Sequence, residues 1–211
     1  MESQVRGGTR WKRFAVVMVP SVTAAACVGV GLAQGALAAS FSVSGQQFKV
    51  SAAHLEGTGF AQYGGIDNVY ETTEGKSQKK VPVAISSFKN AKITDMCQSV
   101  VTPIPGIGKI YLRLEAGKSK PVTAENLYID VAQLDADAKF EDIDIGVAVR
   151  DQNRGPDVKP GENVLPGGFA QQARKATLTG VEQTAWATTA GTFTLNGLSM
   201  KLGTSEKMEC F

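Results

Sequence analysis

The stretch Leu127–Val149 constrains the fold of this chain more than any other part of it. Leu127, Ile129 and Val131 form one alternating apolar series. Leu134, Ala136, Ala138 and Phe140 form a second in the opposite phase, and Ile143, Ile145, Val147 and Val149 return to the first phase. A period of two is the pattern of a half-buried strand. A one-residue slip turns every side chain to the other face, so a flat strand cannot bury all three series on one side. Neither flip carries a Gly, a Pro or an Asn-Gly hairpin signal, so the chain is expected to bend at a bulge or tight corner. The same apolar-x-x-apolar step recurs at Ile93–Met96, Leu178–Val181 and Leu195–Leu198, at irregular spacing that excludes a fixed-period repeat.

A strand that corners repeatedly while keeping its apolar side inward belongs to a curved sheet. The expected fold is therefore mainly β: one curved β-rich domain over residues 39–211, jelly-roll-like or β-solenoid-like. Alternation at Phe48, Val50 and Ala52, at Val81, Val83 and Ile85, and at Ile110, Leu112 and Leu114 agrees. The one short helical candidate is Phe169–Lys175. Three polar or Gly/Pro-rich stretches read as loops: 62–80, 103–108 and 151–168. The last carries three prolines and four glycines, and a loop of that length is expected to be functional or mobile, here as a cover over an opening in the curved sheet.

Ahead of this domain stands a basic segment, residues 1–13, then an apolar run from Phe14 that ends in small residues. Ala36 and Ala38 fit an A-x-A cleavage site before Ala39. The run also approaches the ~20 residues that cross a bilayer. Residues 14–38 are thus expected to be a cleaved signal peptide or a retained signal-anchor helix. Either way the basic flank stays in the cytoplasm and the domain lies outside, membrane-attached or secreted. Arg6, Arg10, Lys12 and Arg13 against Glu2 place three positive charges in the leader, whereas the whole chain carries +2. The domain is therefore close to neutral, which argues against a nucleic-acid partner.

Of three cysteines, Cys27 lies in the leader, and Cys97 and Cys210 in the exported part. An isolated pair outside the cell is expected to form a disulfide, worth roughly 4 kcal/mol by loop closure. Two distant cysteines and the single histidine, His54, lack metal-ligand spacing. The serine-hydrolase elbow Gly-x-Ser-x-Gly is absent. Gly75-Lys-Ser77 and Gly117-Lys-Ser119 lack the first glycine of a phosphate-binding loop, with Tyr70 and Leu112 in its place. Asp135, Asp137, Glu141, Asp142 and Asp144 largely alternate with apolar residues and read as a solvated strand face rather than a calcium loop. No catalytic, cofactor-binding or metal residue is assigned, and no cofactor is expected.

The leader sequence Arg-Gly-Gly-Thr-Arg-Trp-Lys-Arg-Phe-Ala-Val-Val-Met (Arg6–Met18), running into Ala-Leu-Ala-Ala-Ser-Phe-Ser-Val-Ser-Gly (Ala36–Gly45), resembles an uncharacterised family of exported or membrane-anchored proteins from Streptomyces-type actinobacteria. Many of its members carry the label "cholesterol esterase". The resemblance implies an envelope location and, through that label, ester hydrolysis; it brings no motif that assigns a catalytic residue. The residues themselves point to a non-enzymatic extracytoplasmic cell-envelope protein that binds a lipid or another envelope protein through its curved sheet. The alternatives are an ester hydrolase, and a structural or assembly subunit of a membrane complex.

Overall fold

The computed structural model describes residues 44–71, 77–159 and 161–211; the leader, with residues 14–38 and the Ala36, Ala38 and Ala39 cleavage signal, lies outside the described residues. Among the described residues nine strands form one sheet: β1 (Phe48–Tyr70), β2 (Gln78–Thr94), β3 (Met96–Ile104), β4 (Gly108–Ala116), β5 (Val122–Ala148), β6 (Asn163–Val164), β7 (Phe169–Thr189), β8 (Thr192–Thr194) and β9 (Ser199–Gly203). Every ladder is antiparallel. β1 pairs with β2, β2 with β5, β5 with β7, and the start of β1 returns to β7, where Phe48 faces Ala185 and Ala52 faces Val181. The long strands thus close a barrel-like circuit, and β3, β4 and β9 extend the sheet beyond it. The expected curved, mainly β domain takes this form.

Each apolar-x-x-apolar step sits on a backbone irregularity. In four of the five, the residue just before the second apolar one has a positive φ: Asp95 (51°), Asp142 (54°), Gly180 (61°) and Gly197 (70°). The fifth, Val131–Leu134, falls on a register shift between Val131 and Gln133. Glycine and the short Asx side chains tolerate this left-handed region at low cost. The corner at Asp95 separates β2 from β3, whereas β5 continues through its irregularities as a single strand of 27 residues. The third apolar series of β5 is not buried along its length: Ile145 is 66% exposed.

Two expectations fail. Phe169–Lys175 is the first part of β7, paired to the end of β5, so ladder hydrogen bonds override a short helical pattern. Most of 62–80 is strand as well, since β1 runs to Tyr70 and β2 begins at Gln78. Gly65 does not turn the chain: a Cβ there would lie 2.5 Å from Ile85 Cδ1, so the glycine serves close packing. The turn expected at 103–108 is present between β3 and β4.

The main core lies on one face of the circuit, with Leu55 and Phe60 from β1, Phe88 and Ile93 from β2, Leu127 and Ile129 from β5, and Leu178 and Val181 from β7. On the opposite face, Tyr63, Ile85 and Asp130 stand in one lateral row of β1, β2 and β5. A 3-10 turn, Val149–Asp151, leads into the long loop, which lies over this second face rather than over an opening. Val158 and Val164 pack against the cluster of Tyr63, Val83 and Ile85. The buried Gln172 fastens the loop: its Oε1 accepts hydrogen bonds from the Asn153 and Arg154 amides at 2.8 and 3.0 Å. Cys97 and Cys210 form the expected disulfide, with Cα atoms 5.9 Å apart, a pairing at home in oxidising compartments. It holds the chain's last residues to β3. Arg113 of β4 adds to this by donating to the carbonyl of Glu209 at 2.9 Å.

Candidate ligand-binding site

Two partly open, mainly apolar hollows are lined by core residues of the circuit. One cavity of about 140 Å³ is bounded by Leu55, Phe60, Phe88, Leu134, Phe140 and Leu178 among others. A second, of about 250 Å³, lies between Phe48, Val50, Ile93, Met96, Leu127 and Phe193. Ile129 and Gln183 line both, so the two adjoin. Tight packing is the rule in protein interiors, and an apolar cavity of ~150 Å³ can hold a benzene-sized group. β5 and β7 slip in register between Asp135 and Asp137, next to the lining residues Leu134, Ala136 and Ala138.

The polar groups on these walls are all uncharged: Gln62, Ser86, Gln98, Gln183 and Thr188. Gln62 Nε2 donates to Ser86 Oγ at 2.8 Å, and Gln171 Nε2 donates to Gln62 Oε1 at 2.6 Å. Gln183 is 6% exposed. Among the described residues its side-chain amide makes no hydrogen bond. The amide is not among the fully buried unbonded groups, so it reaches the open space of the wall shared by both cavities, where an occupant can hydrogen-bond it.

Phe48, Val50 and Gln98 of the second cavity's wall belong to rows that continue into the extension of the sheet. Val50, Gln98, Leu114 and Met200 share one row, and Phe48, Val100, Leu112 and Leu202 the next. Opposed residues of paired strands point to the same face, so a mainly apolar strip links these wall residues to the edge strand. Met200 and Leu202 are more than half exposed at 58% and 70%. A separate apolar groove of about 570 Å³ lies by Ile66, Leu165 and Phe169, and no buried charged or unpaired polar group faces it among the described residues.

A different chemistry lies under the long loop. Tyr63 donates to Glu162 Oε2 at 3.0 Å, and Tyr128 donates to the Asp157 carbonyl at 2.7 Å. Lys159 Nζ lies 3.1 Å from Glu162 Oε1 and 5.2 Å from the centre of the Tyr128 ring. The Lys159–Glu162 approach is an ion pair without hydrogen-bond alignment, since the same Oε1 is buried and unbonded. Asp67 Oδ2 and Asp130 Oδ1 are also buried without a hydrogen bond. Burial pushes the Asp130 carboxyl up to about 7; Lys159 opposes that rise, and Asp67 and Glu162 add to it. Burial likewise raises Asp67, against Lys159, and raises the Tyr63 phenol, with Glu162 reinforcing it. Among the described residues no group of three or more His, Cys, Asp or Glu side chains has metal-binding geometry.

The residues singled out in the sequence have other places. His54 stands on β1 opposite Thr94, and among the described residues no serine hydroxyl is hydrogen-bonded to it. Glu141 and Asp142 of the acidic stretch pair with Arg174, and Asp144 pairs with Arg154, on the surface. The cavity residues escaped the sequence reading, although one sign was legible: Gln183 sits two residues from Val181 and Ala185, in the inward phase of an otherwise apolar series. Asp130 gave no sign, because an acid between Ile129 and Val131 reads as the solvent side of a half-buried strand.

No curated protein and no solved structure matches this chain. Its residues 44–211, the whole of the strand-bearing domain, match the model of DUF6230, a family of unknown function, and the chain belongs to that family.

Proposed function

We propose that this protein is a non-enzymatic component of the cell envelope, placed outside the cytoplasmic membrane by its leader, whose barrel-like domain takes up the hydrocarbon part of a lipid. The observation that carries this reading is the pair of adjoining apolar cavities inside the sheet circuit. Their walls are apolar with a few polar groups, the usual make-up of a small-molecule site. The exposed Met200 and Leu202, in the same sheet rows as the cavity-lining Val50 and Phe48, supply an apolar surface for the rest of such a chain. The Cys97–Cys210 disulfide supports an oxidising location. Native mass spectrometry of the full chain, purified from its own membrane or medium, tests the reading: a bound lipid mass is expected, and a domain that is empty and stays empty on exposure to lipid extract refutes it. Mass analysis of the mature N-terminus tests the location; a chain beginning at Ala39 is a secreted form, and one retaining residues 14–38 is an anchored form.

A further inference from the structure

We infer that the ligand is an uncharged single-chain amphiphile, its head an ester, amide or hydroxyl group hydrogen-bonded by Gln183, and not a fatty-acid carboxylate. This deepens the lipid-binding reading and rests on it. Three observations converge. Gln183 is nearly buried, lies on the wall common to both cavities, and has no partner among the described residues. A glutamine amide offers both a donor and an acceptor, which suits a neutral head carrying a carbonyl or a hydroxyl. The residues lining the two cavities include no Lys, Arg or His.

The last point decides between head groups. A carboxylate taken from water into an apolar site needs a cation or several aligned donors, and without them it must take up a proton instead. The other polar groups of the first cavity, Gln62 and Ser86, bring no cation and are hydrogen-bonded to each other. Gln62 already bonds Ser86 and accepts from Gln171, so its amide is engaged within the wall. No charged residue lines either cavity, and the buried acids Asp67, Asp130 and Glu162 lie with Lys159 under the long loop on the opposite face. A neutral head loses little on leaving water and recovers a hydrogen bond at Gln183. A fatty-acid anion recovers no charge.

The test compares three probes of equal chain length on the full purified chain at pH 8: decane, decanol and decanoate, each measured by displacement of a fluorescent neutral acyl probe. Decanol is expected to bind most tightly, about tenfold tighter than decane for one added hydrogen bond, with decanoate weakest. The Gln183→Leu variant is expected to bring decanol down to the affinity of decane and leave decane unchanged. Decanoate binding as tightly as decanol overturns the inference and leaves the lipid reading intact, as does decane equal to decanol in the unmodified chain. Failure of all three to bind overturns the lipid reading itself. The three-probe comparison needs no variant, so it stands even if Gln183→Leu does not fold.

Discussion

Replacing Asp130 by Asn should change how stability depends on pH. Asp130 is 4% exposed, and its carboxyl titrates near 7 in the folded chain against 3.8 for the free side chain. The folded state therefore holds a proton that the unfolded state has released over the interval between these values. Stability is greatest below that interval and falls as pH rises through it, because the unfolded state binds fewer protons there. One pKa unit is worth about 1.4 kcal/mol, so the full effect is about 4 kcal/mol, of which about 3 kcal/mol lies between pH 5 and pH 8. Asparagine has the same shape and cannot ionise. Urea unfolding of the non-reduced protein at pH 5 and pH 8 is the assay. The unmodified chain should lose about 3 kcal/mol on going to the higher pH, and Asp130→Asn should lose much less and be the more stable of the two at pH 8. Asp67 is raised in the same direction and remains in the variant, so a small residual slope is expected. A variant that keeps the full slope would refute the reasoning, since the proton would then reside on another group.

Removing the disulfide as Cys97→Ser with Cys210→Ser frees a loop with a sequence separation of 113 residues, and urea unfolding should show a loss of about 4–5 kcal/mol. Gly155→Ala brings a Cβ to 2.4 Å from the Cβ of Ala61. The loop must lift, at about 1–3 kcal/mol, and hydrogen exchange at Asn153 and Arg154 should quicken while β1 and β2 remain protected. His54→Ala should leave any background turnover of a chromogenic ester unchanged; loss of turnover would favour the hydrolase alternative.

The fold was legible where the sequence departs from strict alternation. Each phase flip marks a residue that must leave the regular strand, and Asp95, Asp142, Gly180 and Gly197 do so through a positive φ. Phase alone could not say which strands pair, because that depends on partners far along the chain: Phe48 meets Ala185 and Val100 at once. The segment Phe169–Lys175 misled because Phe169, Ala170, Ala173 and Ala176 also fit a helical stripe. Its real pattern has two adjacent buried residues, Gln172 and Ala173, and comes from following the irregular end of β5. The stretch 62–80 misled for a different reason, since a glycine such as Gly65, packed close against Ile85, looks the same in sequence as one that makes a turn. The paired acids and tyrosines beneath the long loop were hidden because burial by a loop leaves no periodic trace.

The ladder that closes the circuit has a consequence for the order of assembly. Phe48–Ala52 can find its partner only after Val181–Ala185 has been made, and Cys97 must wait for Cys210. At a synthesis rate of about 5–20 residues per second, the early strands spend roughly 6–30 s with the inner side chains of β1 and β2 uncovered. Contacts this distant in sequence also form slowly. The young chain is thus a half-built wall with an open seam, and its most vulnerable moment comes just before the last strands arrive to close it.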